Sequence, residues 1–306
     1  MTKGSFIVLI AVVVSALLGL FIPTGAVASP VALDYVPAYD WYHGCGPTAA
    51  ASILGYWDVH GYDGLFDVSG WDEVRYTQNV RDHISSPEHN AKYDSTPDNS
   101  GLSEPPDTSI ADFFHTSEGG LGYGWSYQAY ADDGLAGYAT YRGYEFDAWY
   151  VSSGGISWET FMAEIDAGYP VMPLVDTNAD GLTDHFVPAI GYDDRGDEGL
   201  WYGLYTTWSE NEDILWQEFS LITAGVSWGI GYMTFFHPVS APTHTGLPVS
   251  FIGGENTESS PAVSPVPEPA TVLLLGSGLL GLVGFRRKFR VFSNFPTQQT
   301  DSGASP

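Results

Sequence analysis

The chain has 306 residues and a formal net charge of −27, with 44% hydrophobic, 15% aromatic and 15% charged residues. Between Ser29 and Pro265 there are 35 acidic residues against 5 basic ones, Arg75, Arg81, Lys92, Arg142 and Arg195. A surface of that sign repels phosphate backbones, which excludes nucleic acid as a partner and favours divalent cations and neutral or cationic partners, while the aromatic and glycine content predicts a packed core rather than disorder.

Lys3, an apolar run from Phe6 to Ile22 and Ala26-Val27-Ala28 form the three parts of a secretory signal peptide, so residues 1–28 are set aside from the fold. An uncleaved anchor is the other reading, with an apolar run near the lower limit for spanning. Residues 29–245 then suit one domain. Its first distinctive stretch is WYHGCGPTA, residues 41–49, around the sole cysteine of the chain, Cys45. A thiol with no partner forms no intramolecular disulfide; it is a small buried hydrophobe or a reactive group. Pro47 fits a first helical turn, and Ala49, Ala50, Ile53, Leu54 and Trp57 follow at helical spacing. Cys45 is thereby expected at a helix N-terminus, where N–H groups and the helix dipole favour thiolate, with Gly44 and Gly46 leaving room for a substrate backbone.

Residues 61–106 read as an irregular insertion, 109–115 (SIADFFH) as a short helix, and 119–150 as small strands and turns. A longer helix is predicted over 157–167, capped by Ser157, with Trp158, Phe161, Met162 and Ile165 on one face and Gly168 ending it. VMPLVD, 171–176, follows as a strand. DTNADGLTD places Asp176, Asn178 and Asp180 at alternate positions, a glycine at the sixth and Asp184 at the ninth, the pattern of a Ca²⁺ loop, although Val187 stands where such loops end in Glu. A plain Asp/Asn-rich turn has the same appearance. Zinc is disfavoured, because the eight histidines lack an H-x-x-x-H spacing. His185 then opens an apolar strand closing at Gly191, followed by strands at 200–208 and 228–236. One helix carrying the cysteine and a run of strands carrying the histidine predict an α+β fold with an antiparallel sheet.

Residues 246–265, rich in Gly, Ser, Pro and Thr, read as a linker. Beyond them stand Pro267-Glu268-Pro269, the apolar stretch Ala270–Phe285 and the basic cluster Arg286, Arg287, Lys288 and Arg290. In composition and order, residues 266–290 resemble the PEP-CTERM sorting signal, which implies a Gram-negative host, export, transient anchoring in the membrane, processing by an exosortase and a place in the cell envelope or its exopolysaccharide matrix. The tail, 291–306, runs past the point where such signals usually stop.

GCGPTAAASILGYW and HFVPAIGYDD resemble the cysteine and histidine motifs of the C39-like peptidases, a branch of the papain-like fold. The resemblance implies that Cys45 is the nucleophile, that His185 is the general base, and that an orienting residue on the following strand falls near Thr206. It also puts Tyr39 where an oxyanion-hole glutamine often stands, with a phenol able to donate a hydrogen bond. Peptide or protein is the implied substrate. The other reading, which Thr206 and Tyr39 favour because neither matches the family's usual residue, is a papain-like domain that binds within the envelope without hydrolysing.

Overall fold

The computed structural model describes residues 29–253, except 69, 95–100, 240, 243 and 244. The signal peptide, the sorting signal and the tail lie outside the described residues. Among those described, no helix is long and apolar enough to cross a membrane.

After a short strand β1 (Val31–Leu33) the chain enters helix α1 (Cys45–Val59), which is buried on every side from Gly46 to Val59. The expected one-sided stripe is therefore wider than the sequence pattern indicated, because helices and strands cover all faces. The predicted irregular insertion holds three short helices, α2 (Trp71–Val74), α3 (Gln78–Ile84) and α4 (Pro87–Tyr93). Thr77 and Ser86 cap α3 and α4, and Val74, Val80 and Ile84 reach the core. Helix α5 (Ile110–Phe113) is the expected short one, started by a capping box between Ser109 and Asp112. The stretch expected as small strands and turns instead contains the 11-residue helix α6 (Ala131–Tyr141) before strand β2 (Phe146–Ser152). Helix α7 (Trp158–Asp166) forms where predicted, with the Ser157 hydroxyl accepting from the Thr160 N–H at 3.1 Å.

Strands β3 (Met172–Asp176), β4 (His185–Phe186), β5 (Ala189–Asp194), β6 (Leu200–Leu204), β7 (Leu215–Glu218), β8 (Gly229–Pro238) and β9 (Phe251–Ile252) complete the chain. They form two sheets rather than one: β7-β6-β5-β1-β9 and β2-β8-β3-β4, with all strand pairs antiparallel. The predicted histidine strand is thus split. His185 and Phe186 pair with Val175 and Leu174 in the four-stranded sheet, the chain crosses at Val187-Pro188, and Ala189 starts a strand of the other. Pro188 has no N–H to give to a ladder, so a break there costs little. Residues 246–253, expected as the start of a linker, are packed on the domain: Leu247 N–H donates to the Val59 carbonyl, and Phe251 and Ile252 pair with β1.

One buried ion pair fixes the segment that later forms a wall of the site. Both ring nitrogens of His89 face acceptors, the Asp112 carboxylate at 2.6 Å and the Thr116 carbonyl at 3.0 Å, so both donate and the ring is the cation of the pair. Burial favours protonation of Asp112, but hydrogen bonds from His89 and Ser109 outweigh it and hold the carboxyl below the usual aspartate value. Asp112→Asn should cost about 3 kcal/mol at neutral pH, because it leaves a buried imidazolium uncompensated. Since the folded-state value is depressed, that contribution is complete above the ordinary carboxylate range and is lost as pH falls through the lower folded value. Urea melts of both proteins against pH check this, with the gap between them narrowing as pH falls through the lowered Asp112 value.

Candidate active site

The turn before α1 is built by Thr48, whose hydroxyl donates to the Gly44 carbonyl at 2.6 Å and accepts from the Tyr42 N–H at 3.1 Å. Pro47 sits in the first helical turn, where no intrahelical N–H is required. Gly44 has φ +146°, and a Cβ there would lie 2.9 Å from the Gly124 carbonyl oxygen and from Thr116 Cγ2. A Cβ on Gly46 would lie 2.9 Å from Ser126 Oγ. The two glycines admit the protein's own 116–126 segment, not a substrate backbone as the sequence reading had it.

Cys45 and His185 come together on one cleft of about 450 Å³, whose walls also include Trp41, Trp125, Gln128 and Asp184. Cys45 arrives on the end of α1 and His185 on β4; a register shift in β3 between Leu174 and Val175 lies opposite β4. No direct thiol–imidazole hydrogen bond joins them among the described residues. Burial pushes the Cys45 thiol above its usual value and Asp184 adds to this, against the lowering effect of the backbone N–H groups of Phe186, Cys45 and Gly46. The expected thiolate is thus not the resting form; burial outweighs the helix N-terminus.

Burial also lowers His185, opposed by its bond to Thr206 and by the Asp184 charge. Nε2 of His185 is 2.7 Å from the Thr206 carbonyl oxygen, so it carries the proton and leaves Nδ1 as the basic nitrogen. The Thr207 hydroxyl is 3.2 Å from the same nitrogen, and the Trp208 ring stacks on the imidazole at 4.6 Å between centroids. Thr206 therefore meets His185 through its backbone, while its own hydroxyl accepts from the Trp208 N–H at 3.3 Å. The hydroxyl at the ring belongs to Thr207, which is buried at φ +57°. That backbone is costly for a β-branched residue, about 1–3 kcal/mol, and aims the Thr206 carbonyl at the ring. An antiparallel bridge between Asp40 and Trp208 ties this reversal to the chain leading into Cys45.

Tyr39 is not in the cleft. It is fully buried, its hydroxyl donates to the Val74 carbonyl, and it packs where a Cβ on Gly55 would touch it at 2.8 Å. Gly55 is about 15 Å along the helix axis from Cys45. An oxyanion role for Tyr39 is thereby ruled out by position. The side chains that sequence reasoning passed over are Trp41, Thr207, Trp208 and those of the 123–128 wall. Only Trp41, beside the cysteine motif, carried a signal of its place.

The expected calcium ligands accept hydrogen bonds from their own loop. Asp176 accepts from Ala179 and Gly181 N–H, Asn178 from Asp180, Asp180 from Leu182, and Asp184 from the Thr177 N–H and hydroxyl. Among the described residues no group of three or more His, Cys, Asp or Glu is arranged to hold a metal.

Comparison with known proteins agrees with both resemblances. Residues 265–288 match the PEP-CTERM protein-sorting motif, a signal for export and surface sorting in Gram-negative bacteria that implies recognition by an exosortase. No curated protein matches the chain. Residues 33–221, from β1 to just beyond β7 and including Cys45 and His185, match the Peptidase C39-like family. The chain belongs to the Peptidase C39-like family.

Proposed function

We propose that this is an exported cysteine peptidase of the bacterial surface, in which the Cys45 sulfur attacks a peptide carbonyl and His185 takes the thiol proton. The observation that carries this reading is the tautomer of His185: with Nε2–H given to the Thr206 carbonyl, the ring keeps an unprotonated Nδ1 on the same cleft as the thiol. With the thiol held up and the imidazole held down, both groups are neutral at rest, so proton transfer accompanies attack instead of preceding it as a stored ion pair. The Cys45 sulfur would form the acyl bond, the leaving amine would take the proton from the imidazolium, and water would then release the acyl group. N–H groups at the start of α1 supply donors for the oxyanion. Burial of the thiol favours the second reading, a binding domain without hydrolysis. The two are separated by turnover of a quenched fluorescent peptide library: cleavage that disappears in Cys45→Ala upholds the peptidase, and its absence in the wild type leaves the binding domain.

The pH profile follows from the same shifts. The acid limb of kcat/KM should fall below the ordinary imidazole value of 6.5 and the basic limb above the ordinary thiol value of 9.0, giving a broad plateau. Trp208→Ala removes part of the cover over His185, so water relieves the desolvation and the acid limb moves up towards 6.5. An unmoved limb would mean that Trp208 does not set the environment of the ring.

Thr207 supplies the third expectation. Thr207→Ala removes the hydroxyl at Nε2 but keeps the Thr206 carbonyl, and kcat should drop by about tenfold, the worth of one hydrogen bond. Thr207→Ser should retain most of the rate. Equal rates in the two variants would assign the orienting role to the carbonyl alone.

A further inference from the structure

The cleft has a one-sided chemistry. Among the described residues no lysine or arginine lines it. The basic residues of the domain are engaged elsewhere: Arg75 with Glu212, Arg142 with Asp67, Arg195 with Asp193, Arg81 over the Tyr76 ring, and Lys92 on the Leu102 carbonyl. Asp184, in the cleft wall, accepts hydrogen bonds from the N–H and hydroxyl of Thr177, which is neutral, and has no basic partner among the described residues. The same cleft is lined by aromatic rings open to solvent: Trp41 is 36% exposed, Tyr123 42%, Trp125 57% and Tyr127 58%. Faces of that kind beside an unpaired carboxylate attract a guanidinium or ammonium group, and a strongly acidic domain steers such a group inward.

We propose that the cleft selects peptides bearing an arginine or lysine side chain beside the bond presented to Cys45. This rests on the peptidase reading and gives it a substrate class. The cation sits between Asp184 and the aromatic wall, its stem covering ring faces that are otherwise wet. Asp184 is among the groups that hold the Cys45 thiol up, so a substrate cation placed against it also eases loss of the thiol proton at the moment of attack. Selection and activation then share one contact.

The test uses the chain carrying Cys45→Ala and two fluorescein-labelled Ala-Gly peptides, one bearing several arginines and the other glutamates in their place. Anisotropy should show the arginine peptide binding at least about tenfold more tightly at low salt, with the margin shrinking towards ~0.5 M salt as screening sets in. Adding Trp125→Ala, a change at an exposed position, should weaken the arginine peptide about threefold or more and leave the glutamate peptide unaffected; adding Asp184→Asn should also narrow the preference. Equal affinities, or a preference that survives both changes, would overturn the proposal. Wild-type cleavage of both peptides at equal rates would overturn it while leaving the peptidase standing. Selective binding to Cys45→Ala without cleavage by the wild type would overturn the peptidase reading and uphold the selectivity of the cleft.

Discussion

Everything at the site depends on a helix that is buried on all sides. Helix α1 touches both the helical layer and the β3–β4 edge of the four-stranded sheet, and Cys45, at its first position, is the point where the buried rod meets the cleft. A fully enclosed helix needs small residues where neighbours press closest, and the sequence supplies Gly46, Ala49, Ala50, Ala51 and Gly55. It also needs its first N–H groups answered, and two of them, those of Cys45 and Gly46, lie by the cysteine sulfur. The same enclosure has an electrostatic cost. Although Cys45 is only half-buried at the cleft, much of the water that would solvate a thiolate is displaced, and three backbone dipoles do not replace it fully.

The histidine is governed by the same balance. A carboxylate at Nε2 would bring a full charge to stabilise an imidazolium; here a carbonyl and a hydroxyl do the orienting, and they bring only dipoles. Stacking on Trp208 keeps water from the pair and so strengthens the carbonyl bond while disfavouring the charged ring. Geometry is thus secured by backbone and packing, with no side-chain charge at Nε2 to stabilise a protonated ring. The strained backbone at Thr207 belongs to this arrangement, since an ordinary strand continuation would point the Thr206 carbonyl into a ladder instead of at the ring.

How much of this was legible depended on whether a feature was local. Cys45 at a helix start, the Ser157-capped helix and the strands at β3, β6 and β8 follow from short patterns of capping, periodicity and apolar runs, and they stand in the structure. The division of the histidine strand did not, because residues 185–191 form one apolar run whether or not they change sheets; Pro188 was the only mark of the break. The three short helices of the insertion are stabilised by caps and by a few core side chains, too little periodicity to register in a polar stretch. Tyr39 was misplaced because an offset from Cys45 carries no information on which way the chain turns, and the bulky ring went to the core. Thr206 does meet His185, but through its carbonyl, while the hydroxyl beside the ring comes from Thr207, a division that the reversal at Thr207 explains and a side-chain pattern does not show. The calcium pattern is legible as oxygen-rich, and in the structure these oxygens accept from the N–H groups of their own loop, a use that the sequence pattern alone does not separate from ligation.

Asp184 shows why loop and site are not separable in this fold. Its oxygens close the 176–184 turn by holding Thr177, and closure of that turn sets where β4 begins and hence where His185 emerges. Its charge is at the same time felt by both Cys45 and His185, favouring a protonated form in each. A cation-paired aspartate would do the first job without the second, and the nearest way to such a pair is closed because the few basic side chains are committed on other faces. The domain therefore keeps a carboxylate without a basic partner among the described residues in the wall of a cleft whose other lining groups are neutral or aromatic, and the sign of its field follows from the placement of five cations rather than from the total charge.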